Sequence, residues 1–541
     1  MNHVAVLAVV ALVAVVALTD RMPRQGRRTQ GASGAPRAWQ RAEQTATARW
    51  ASTSELAPLV VAPGASGRLL LGTAARGRGA RLLAAERAQS VAVVGPTQSG
   101  KTSCVAVPAI LSWEGPVLAA SIKTDLVSAT GHWRRSCGTV WCFDPAGDSG
   151  LPASPWSPLP AARTWPGARR LASDLTEVGR AGDALADGDF WYALAAKLLA
   201  ALLFAAATGG RDMADVQRWV DTQEVGEVAM LLERAGDEAA SLAAQASWVR
   251  EERQRSSVYA TVESVLVGFA EPGALGTPGV PAIDVVRLLE GNNTLYLCAP
   301  AHDQRRLRSL FSALTKQVLE TAFSAAARRG APLDPPLLVV LDEAANITPL
   351  AELDSLAATC AGHGIQLVTV WQDLSQISAR YGPRAPTVLN NHRARLFLPG
   401  IADPATLDHA SHLVGEEQRW MASESEDGRG TWSRSRAPVR APLLPPDALR
   451  RLDPHTALLV YGALAPARVR LVPWWQHRWL ASRGTAQEPR RGATGTLSPH
   501  APLRPDRPTV GKRSVAAVRR VARGGKAAAK RAGVLGRDPP R

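Results

Sequence analysis

The sequence predicts an α/β fold with a mostly parallel β-sheet that is interrupted by an all-helical insertion. Short apolar runs bounded by turn residues, including SVAVV at 90–94, PVLAAS at 116–121 and TVWCF at 139–143, are typical of strands buried on both faces of a parallel sheet. From about residue 162, long Ala- and Leu-rich stretches with apolar residues at helical spacing replace them. The strand pattern then returns, with a long helix predicted at 304–327 and strands at 294–300, 335–343, 364–372, 395–400 and 456–462.

The strand at 90–94 leads directly into GPTQSGKT at 95–102, which has the Walker A spacing and opens a predicted helix. In such a loop, glycines let backbone N–H groups surround phosphates, and the helix N-terminus adds its positive dipole end. The flanking strand and helix favour this interpretation over an ordinary Gly-rich turn. We expect Lys101 to reach the β- and γ-phosphates of ATP and the Thr102 hydroxyl to ligate Mg²⁺. The predicted nucleotide-binding residues are Gly95, Pro96, Thr97, Gln98, Ser99, Gly100, Lys101, Thr102 and Ser103.

A second motif, LVVLDE at 338–343, is an apolar strand that ends in two acidic residues. Such a strand is common by itself, but together with the phosphate loop it predicts a Walker B motif. Asp342 is expected to hold Mg²⁺, and Glu343 to activate the attacking water as a general base. Gln372, at the end of the next strand, is predicted to lie beside the γ-phosphate and sense hydrolysis. The expected catalytic residues are therefore Glu343, Lys101 and Gln372, with ATP and Mg²⁺ as cofactors.

The residues at 4–18 are apolar and uncharged, and they predict a membrane anchor. Extended to 1–19, the segment approaches the roughly 30 Å of a bilayer core. No Lys or Arg precedes it and four Arg follow by residue 28, which favours an anchor over a cleaved signal peptide and places the body in the cytoplasm. A second apolar run, 190–207, contains Lys197 and is predicted to be a buried core helix instead. The expected location is the cell membrane, crossed once.

The net charge of +16 is concentrated in two flanking segments. Residues 20–50 carry +5 and residues 483–541 carry +12, so the part between them is almost neutral. Basic segments of this kind bind nucleic acid or anionic lipid, although a disordered tail that only aids solubility has the same composition. Five cysteines at irregular spacing indicate neither a metal site nor a disulfide framework, and favour reduced, cytosolic thiols.

The order of these motifs resembles the type IV secretion coupling proteins of the TraG/TraD kind. The matching segments are VVGPTQSGKT, SIKTD at 121–125, FDPAG at 143–147, WSPL at 156–159, DFW at 189–191, TLYLCAP, LVVLDEAANI, WQDLSQISARYG at 371–382 and residues 389–415. The resemblance implies a RecA-like P-loop NTPase, a homo-hexameric ring, and transfer of DNA, expected to be single-stranded with a bound relaxase, to a type IV secretion channel. It also implies a sensor role for Gln372 and inner-membrane lipid as a partner.

On this basis the chain divides into six predicted segments. They are a transmembrane anchor at 1–19, a basic linker at 20–50, a first ATPase part at 51–161, a helical insertion at 162–283, a second ATPase part at 284–480 and a basic disordered tail at 481–541.

Two departures from the family pattern leave other functions open. Many relatives carry an Arg where this chain has Ala361, so an arginine acting across the subunit interface must come from elsewhere, with Arg393 or Arg395 as candidates. Many relatives also have two transmembrane helices, whereas a single membrane-spanning segment is predicted here. One alternative is a DNA pump of the FtsK/HerA type that acts without a secretion channel. Another is a membrane-tethered, ATP-binding recruitment platform with weak hydrolysis.

Overall fold

The computed structural model describes residues 47–484 except 66, 75–79, 148, 181–187, 272, 273, 275, 277, 299–303, 346–349, 351 and 427–431. The predicted anchor at 1–19, most of the linker at 20–50 and the tail beyond residue 484 therefore lie outside the described residues.

The fold is organised around an 11-stranded sheet with the order β2-β1-β13-β12-β9-β3-β8-β7-β4-β6-β5. The seven strands from β9 to β5 are all parallel, and the other four extend the sheet in antiparallel pairs. The strands are β1 Leu70–Ala74, β2 Arg81–Ala84, β3 Val91–Val94, β4 Val117–Ser121, β5 Val140–Phe143, β6 Thr294–Cys298, β7 Leu337–Leu341, β8 Ile365–Trp371, β9 Ala394–Phe397, β10 Glu416–Glu426, β11 Trp432–Pro442, β12 Thr456–Tyr461 and β13 Ala467–Arg470.

Helices cover both faces of this sheet, so its central strands are mostly apolar and β3, β4, β6, β7 and β8 are buried at every position. Along β7, Leu338 and Val340 join one core and Leu337, Val339 and Leu341 the other, as the alternation of side chains in a strand requires. The helices are α1 Val107–Ser112, α2 Asp125–Cys137, α3 Trp165–Arg180, α4 Gly188–Gly209, α5 Met213–Asp221, α6 Gly226–Ala235, α7 Glu238–Trp248, α8 Glu252–Leu266, α9 Val285–Leu288, α10 Gln304–Arg329, α11 Leu353–Thr359, α12 Leu374–Tyr381, α13 Ala385–Asn390, α14 Pro404–Val414, α15 Pro446–Arg450 and α16 Arg478–Ala481.

The described residues between β5 and β6 form helices and loops without a strand. Helix α4 lies at the centre of this region and packs against α3, α6, α7 and α8. Within the described part of the chain, α4 is the one helix long and apolar enough to cross a membrane, yet 61% of its apolar window is buried. Burial against four other helices explains its apolar composition as that of a core helix.

The guanidinium of Arg134 on α2 ties the amino ends of β4 and β6 together. It is fully buried, and it donates to the carbonyls of Trp113 and Gly115 at 2.7 Å each and to the Thr294 hydroxyl at 2.7 Å. Burial lowers the pKa of Arg134, so these acceptors must compensate for the loss of hydration. The amino ends of β4 and β6 are thereby fixed relative to each other.

Strands β10 and β11 form a two-stranded hairpin outside the main sheet. They pair over their whole length, from Glu416 opposite Pro442 to Glu426 opposite Trp432. Neither this hairpin nor β13 was predicted from the sequence.

His392 is fully buried in the loop between α13 and β9, where it supports β8. Its Nδ1 donates to the carbonyl of Val388 at 2.7 Å, and its Nε2 accepts from the Thr369 hydroxyl at 3.1 Å. Thr369 in turn accepts from the indole N–H of Trp371 at 3.0 Å. Burial is the main cause that lowers the pKa of His392 to about 4; the charge of Arg395 also lowers it, and the hydrogen bond to Val388 opposes the shift. The imidazole is therefore neutral at neutral pH.

We expect His392 to make the fold sensitive to acid between pH 6.5 and 4. The unfolded pKa of histidine is about 6.5 and the folded value about 4, so the stabilisation is complete above pH 6.5 and is lost as pH falls. The loss reaches roughly 3 kcal/mol at pH 4. His392→Gln, which cannot titrate, should show a flatter dependence of the urea midpoint on pH. The exposed His132→Gln serves as a control, and equal acid sensitivity in wild type and His392→Gln would contradict this role.

Candidate functional site

The loop from Gly95 to Lys101 connects β3 to a helix whose first turn, Thr102–Ala106, is a π-turn that continues as α1. Gln98 and Gly100 have positive φ angles of 64° and 93°. A Cβ at Gly95 would lie 2.8 Å from both the Leu398 Cβ and the Ser99 Oγ, so only glycine fits there. The chain therefore curls tightly at the carboxyl end of β3, as a phosphate loop must.

The ammonium of Lys101 lies within this loop. Its Nζ donates to the carbonyl of Gly95 at 2.6 Å and to that of Pro96 at 2.7 Å, and the side chain is 8% exposed. Burial lowers the pKa of Lys101, while the charges of Asp342 and Glu343 raise it. The ammonium group therefore lies on the loop, close enough to Asp342 and Glu343 for their charges to affect its pKa.

The Asp342 carboxylate follows β7 and joins the phosphate loop to the acidic strand. Its Oδ2 accepts from the Thr102 hydroxyl at 3.0 Å and from the Ser121 hydroxyl at 3.4 Å. Burial raises the pKa of Asp342 to about 6, and the hydrogen bond from Thr102 opposes this shift. Hydroxyl and carboxylate oxygens are the ligands that Mg²⁺ prefers, so this set of donors fits the predicted ion. The role of Ser121 was not predicted, because its contact with Asp342 depends on the pairing of β4 with β7.

Glu343 is half-buried and adopts a left-handed backbone with φ of 67°. This conformation is unfavourable for a residue with a Cβ and is concentrated at functional sites. The charge of Glu343 raises the pKa of both Lys101 and Asp342, which places its carboxylate at the same site.

Gln372 follows β8, which lies between β3 and β7 and is parallel to both. The register pairs Val94 with Trp371, so Gln372 is level with Gly95 at the carboxyl edge. Its backbone N–H donates to Oε1 of Gln376 at 3.0 Å, which links it to α12. The sheet order thus brings all the predicted motifs to one edge.

His455 lies on the opposite side of the phosphate loop from Asp342. It precedes β12, which runs antiparallel to β9, so the amino end of β12 is at the same edge as the loop. His455 is exposed, has a φ of 62°, and places Nδ1 4.0 Å from Cys104 Sγ. A Cβ added at Gly100 would also lie 4.0 Å from this nitrogen. No sequence motif marks this histidine, because its position depends on strand pairing.

The two candidate arginines differ in their contacts. Arg393 forms an ion pair with Glu86 at 3.3 Å and lies over the ring of Tyr461 at 5.4 Å, which explains it as a structural residue of its own subunit. Arg395 is half-buried in β9, and burial lowers its pKa. Ala361 lies in the 3₁₀ turn Cys360–His363 before β8. An arginine acting across a subunit interface stays a prediction.

Comparisons with solved structures identify the fold. The bacterial conjugative coupling protein TrwBdeltaN70, in an unbound form, matches with a TM-score of 0.60 and 19% identity, over 79% of this chain and 92% of the solved chain. TrwB in complex with ADP and Mg²⁺ matches with a TM-score of 0.54 and 20% identity, over 71% and 85%. These likenesses confirm the predicted α/β fold of the RecA-like type.

Sequence comparisons identify the family. The conjugal transfer protein TraG of Escherichia coli is 24% identical over 401 residues, which cover 67% of this chain and 62% of TraG. Protein VirD4 of Rhizobium rhizogenes is 24% identical over 403 residues, 72% of this chain and 59% of VirD4. The chain thus spans about three fifths of the length of these relatives. A model of the family described as type IV secretory system conjugative DNA transfer matches residues 52–495, and the chain therefore belongs to that family.

Proposed function

We propose that this protein is a membrane-anchored ATPase that couples a relaxase–DNA substrate to a type IV secretion channel and powers its transfer by ATP hydrolysis. The observation that carries the proposal is the convergence of Lys101, the Thr102–Asp342 pair and Glu343 at one sheet edge. The relatives TraG and VirD4 and the solved TrwB complexes with ADPNP and with ADP and Mg²⁺ support it.

Each side chain has a distinct task in this mechanism. Backbone N–H groups of residues 95–103 bind the phosphates, and Lys101 exchanges its two carbonyl acceptors for phosphate oxygens. Thr102 and Asp342 would hold Mg²⁺, which neutralises charge that develops on the phosphates, while Ser121 orients the carboxylate. Glu343 accepts the proton of the attacking water. Gln372 senses the terminal phosphate and passes the change to α12 through Gln376.

We propose a role for each of the other segments as well. Residues 51–161 and 284–480 form the ATPase, and residues 162–283 face the substrate. The subunits assemble as a hexamer with nucleotide sites between neighbours. Residues 1–19 anchor the chain in the inner membrane, and the basic segments at 20–50 and 481–541 contact lipid or nucleic acid.

Substitution of the motif residues should separate nucleotide binding from hydrolysis. Glu343→Gln should keep nucleotide affinity and lower turnover by about 100-fold or more, because the general base is lost. Lys101→Ala should weaken nucleotide binding itself. ATP hydrolysis is measured with and without single-stranded and duplex DNA, and the exposed Glu238→Gln is the control.

Turnover that survives both motif substitutions would contradict the ATPase proposal. Stimulation by duplex DNA alone would support the FtsK/HerA-like pump instead. Nucleotide binding with little turnover, unaffected by any DNA, would support the recruitment platform.

Removal of residues 1–19 should release the protein from membranes. The full chain is expected in the membrane fraction and to resist extraction at high salt, because its attachment is apolar. The truncated chain should be soluble or, if the basic linker suffices for attachment, salt-extractable. If the full-length chain is expressed and the purified protein lacks residues 1–19, the segment is a cleaved signal peptide instead.

We also propose that His455 contacts the nucleotide on the side of the loop away from Asp342. His455→Ala should raise the KM for ATP about threefold to tenfold and leave kcat nearly unchanged, since a contact kept in ground and transition states affects binding alone. His132→Ala, exposed on α2, is the control. A fall in kcat at constant KM would assign His455 to the chemical step, and no change in either would remove it from the site.

A further inference from the structure

The hairpin formed by β10 and β11 is exposed on both of its faces. Residues 418–422 on β10 and 436–440 on β11 are all exposed, including Trp420 at 69% and Met421 at 61%. The ring of Trp420 is therefore accessible to a binding partner.

The register of the hairpin places Trp420 between two arginines on one face. Trp420 pairs with Pro438, while Arg436 and Arg440 are the diagonal cross-strand neighbours, opposite Ala422 and Gln418. Diagonal neighbours in an antiparallel pair are roughly 7–8 Å apart, which long side chains span. Within the described residues, neither Arg436 nor Arg440 has an ion-pair partner. We call Trp420, Arg436 and Arg440 the tryptophan face.

The opposite face of the hairpin has a different character. Arg419 there forms an ion pair with Glu417 at 2.7 Å, and Met421 and Val439 are its exposed apolar residues. Its positive charge is thus satisfied within the hairpin. Among the hairpin side chains that the structure describes, the unpaired positive charges and the aromatic ring lie on the tryptophan face.

We propose that the tryptophan face binds single-stranded nucleic acid. An unpaired base stacks on the indole of Trp420, and the phosphates on either side contact Arg436 and Arg440. Stacking on aromatic rings beside basic side chains is the general chemistry of sequence-independent single-strand binding. This inference rests on the proposed function, because it locates a contact for the transferred DNA.

Other partners fit this face less well. Pro438 and Pro442 remove backbone donors from β11, which disfavours the addition of a further protein strand. Duplex DNA offers no unstacked base to Trp420.

The test uses the full-length protein and fluorescently labelled oligo(dT) in anisotropy titrations at several salt concentrations. Trp420→Ala should weaken binding about tenfold, and Trp420→Phe should retain most of the affinity, since a ring is kept. Arg436→Gln with Arg440→Gln should reduce the salt slope by about 1.4, or about 0.7 for each phosphate lost. Met421→Ala and Arg419→Gln, on the opposite face, are matched controls and should bind as wild type.

The basic tail at 481–541 is also proposed to contact nucleic acid, so a photocrosslinking measurement identifies which residue contacts the oligonucleotide. An oligonucleotide with 5-iodouracil should crosslink to Trp420 in peptides analysed by mass spectrometry, and the crosslink should disappear in Trp420→Ala. Basal ATP hydrolysis should be the same in all hairpin variants.

Several results would overturn the inference. Equal affinity of Trp420→Ala and wild type, or equal losses in Met421→Ala, would exclude the tryptophan face as the DNA contact while leaving the proposed function intact. A changed oligomeric state in sedimentation with unchanged DNA affinity would assign the face to a second copy of this chain. Loss of binding to anionic vesicles alone would assign it to the membrane. Failure of the wild-type protein to bind any single-stranded DNA would contradict the proposed function as well.

Discussion

The contact between Thr102 and Asp342 is the constraint on which the rest of the site depends. It joins residues 240 positions apart in the chain, across the strand order β3-β8-β7. A buried carboxylate is unfavourable unless hydrogen bonds or positive charge compensate it, and Thr102, Ser121 and Lys101 all do so. The parallel order of β3, β4 and β7 brings their carboxyl ends to one edge, and there these side chains together satisfy the buried carboxylate.

The opposite edge of the sheet is fixed by a different interaction, the buried guanidinium of Arg134. Its acceptors belong to the segments that enter β4 and β6, so those strands are held at their amino ends. Between the two edges, the neutral His392 contacts β8 through its hydrogen bond to Thr369. The strand that carries Gln372 is thus fixed in its carboxyl half, and the backbone of Gln372 is linked to α12 through Gln376.

The sequence predicts the parallel half of the fold well, for physical reasons. Strands β3, β4, β7 and β8 are short, mostly apolar and bounded by turn residues, because helices cover both of their faces. Helix α10 and the central helix α4 are long enough to show their own pattern. The phosphate loop and the two acids follow directly, since each stands at the end of one of these strands.

The elements that the sequence missed depend on contacts between distant residues. The hairpin exposes both faces, so neither strand alternates between apolar and polar residues in the way that reveals half-buried strands. His455 reaches the phosphate loop only because β12 pairs antiparallel with β9, and Ser121 matters only because β4 lies beside β7. Local patterns carry no information about either pairing.

The position of Lys101 has a further consequence for ligand selection. In this structure the loop supplies its own lysine with two carbonyl acceptors, so the loop competes with any ligand for that ammonium. A ligand must replace both hydrogen bonds, or a desolvated donor is left unsatisfied. Phosphate oxygens can accept both hydrogen bonds, whereas a ligand without such acceptors cannot. The loop thereby selects for ligands that carry phosphate before any contact with the base is made.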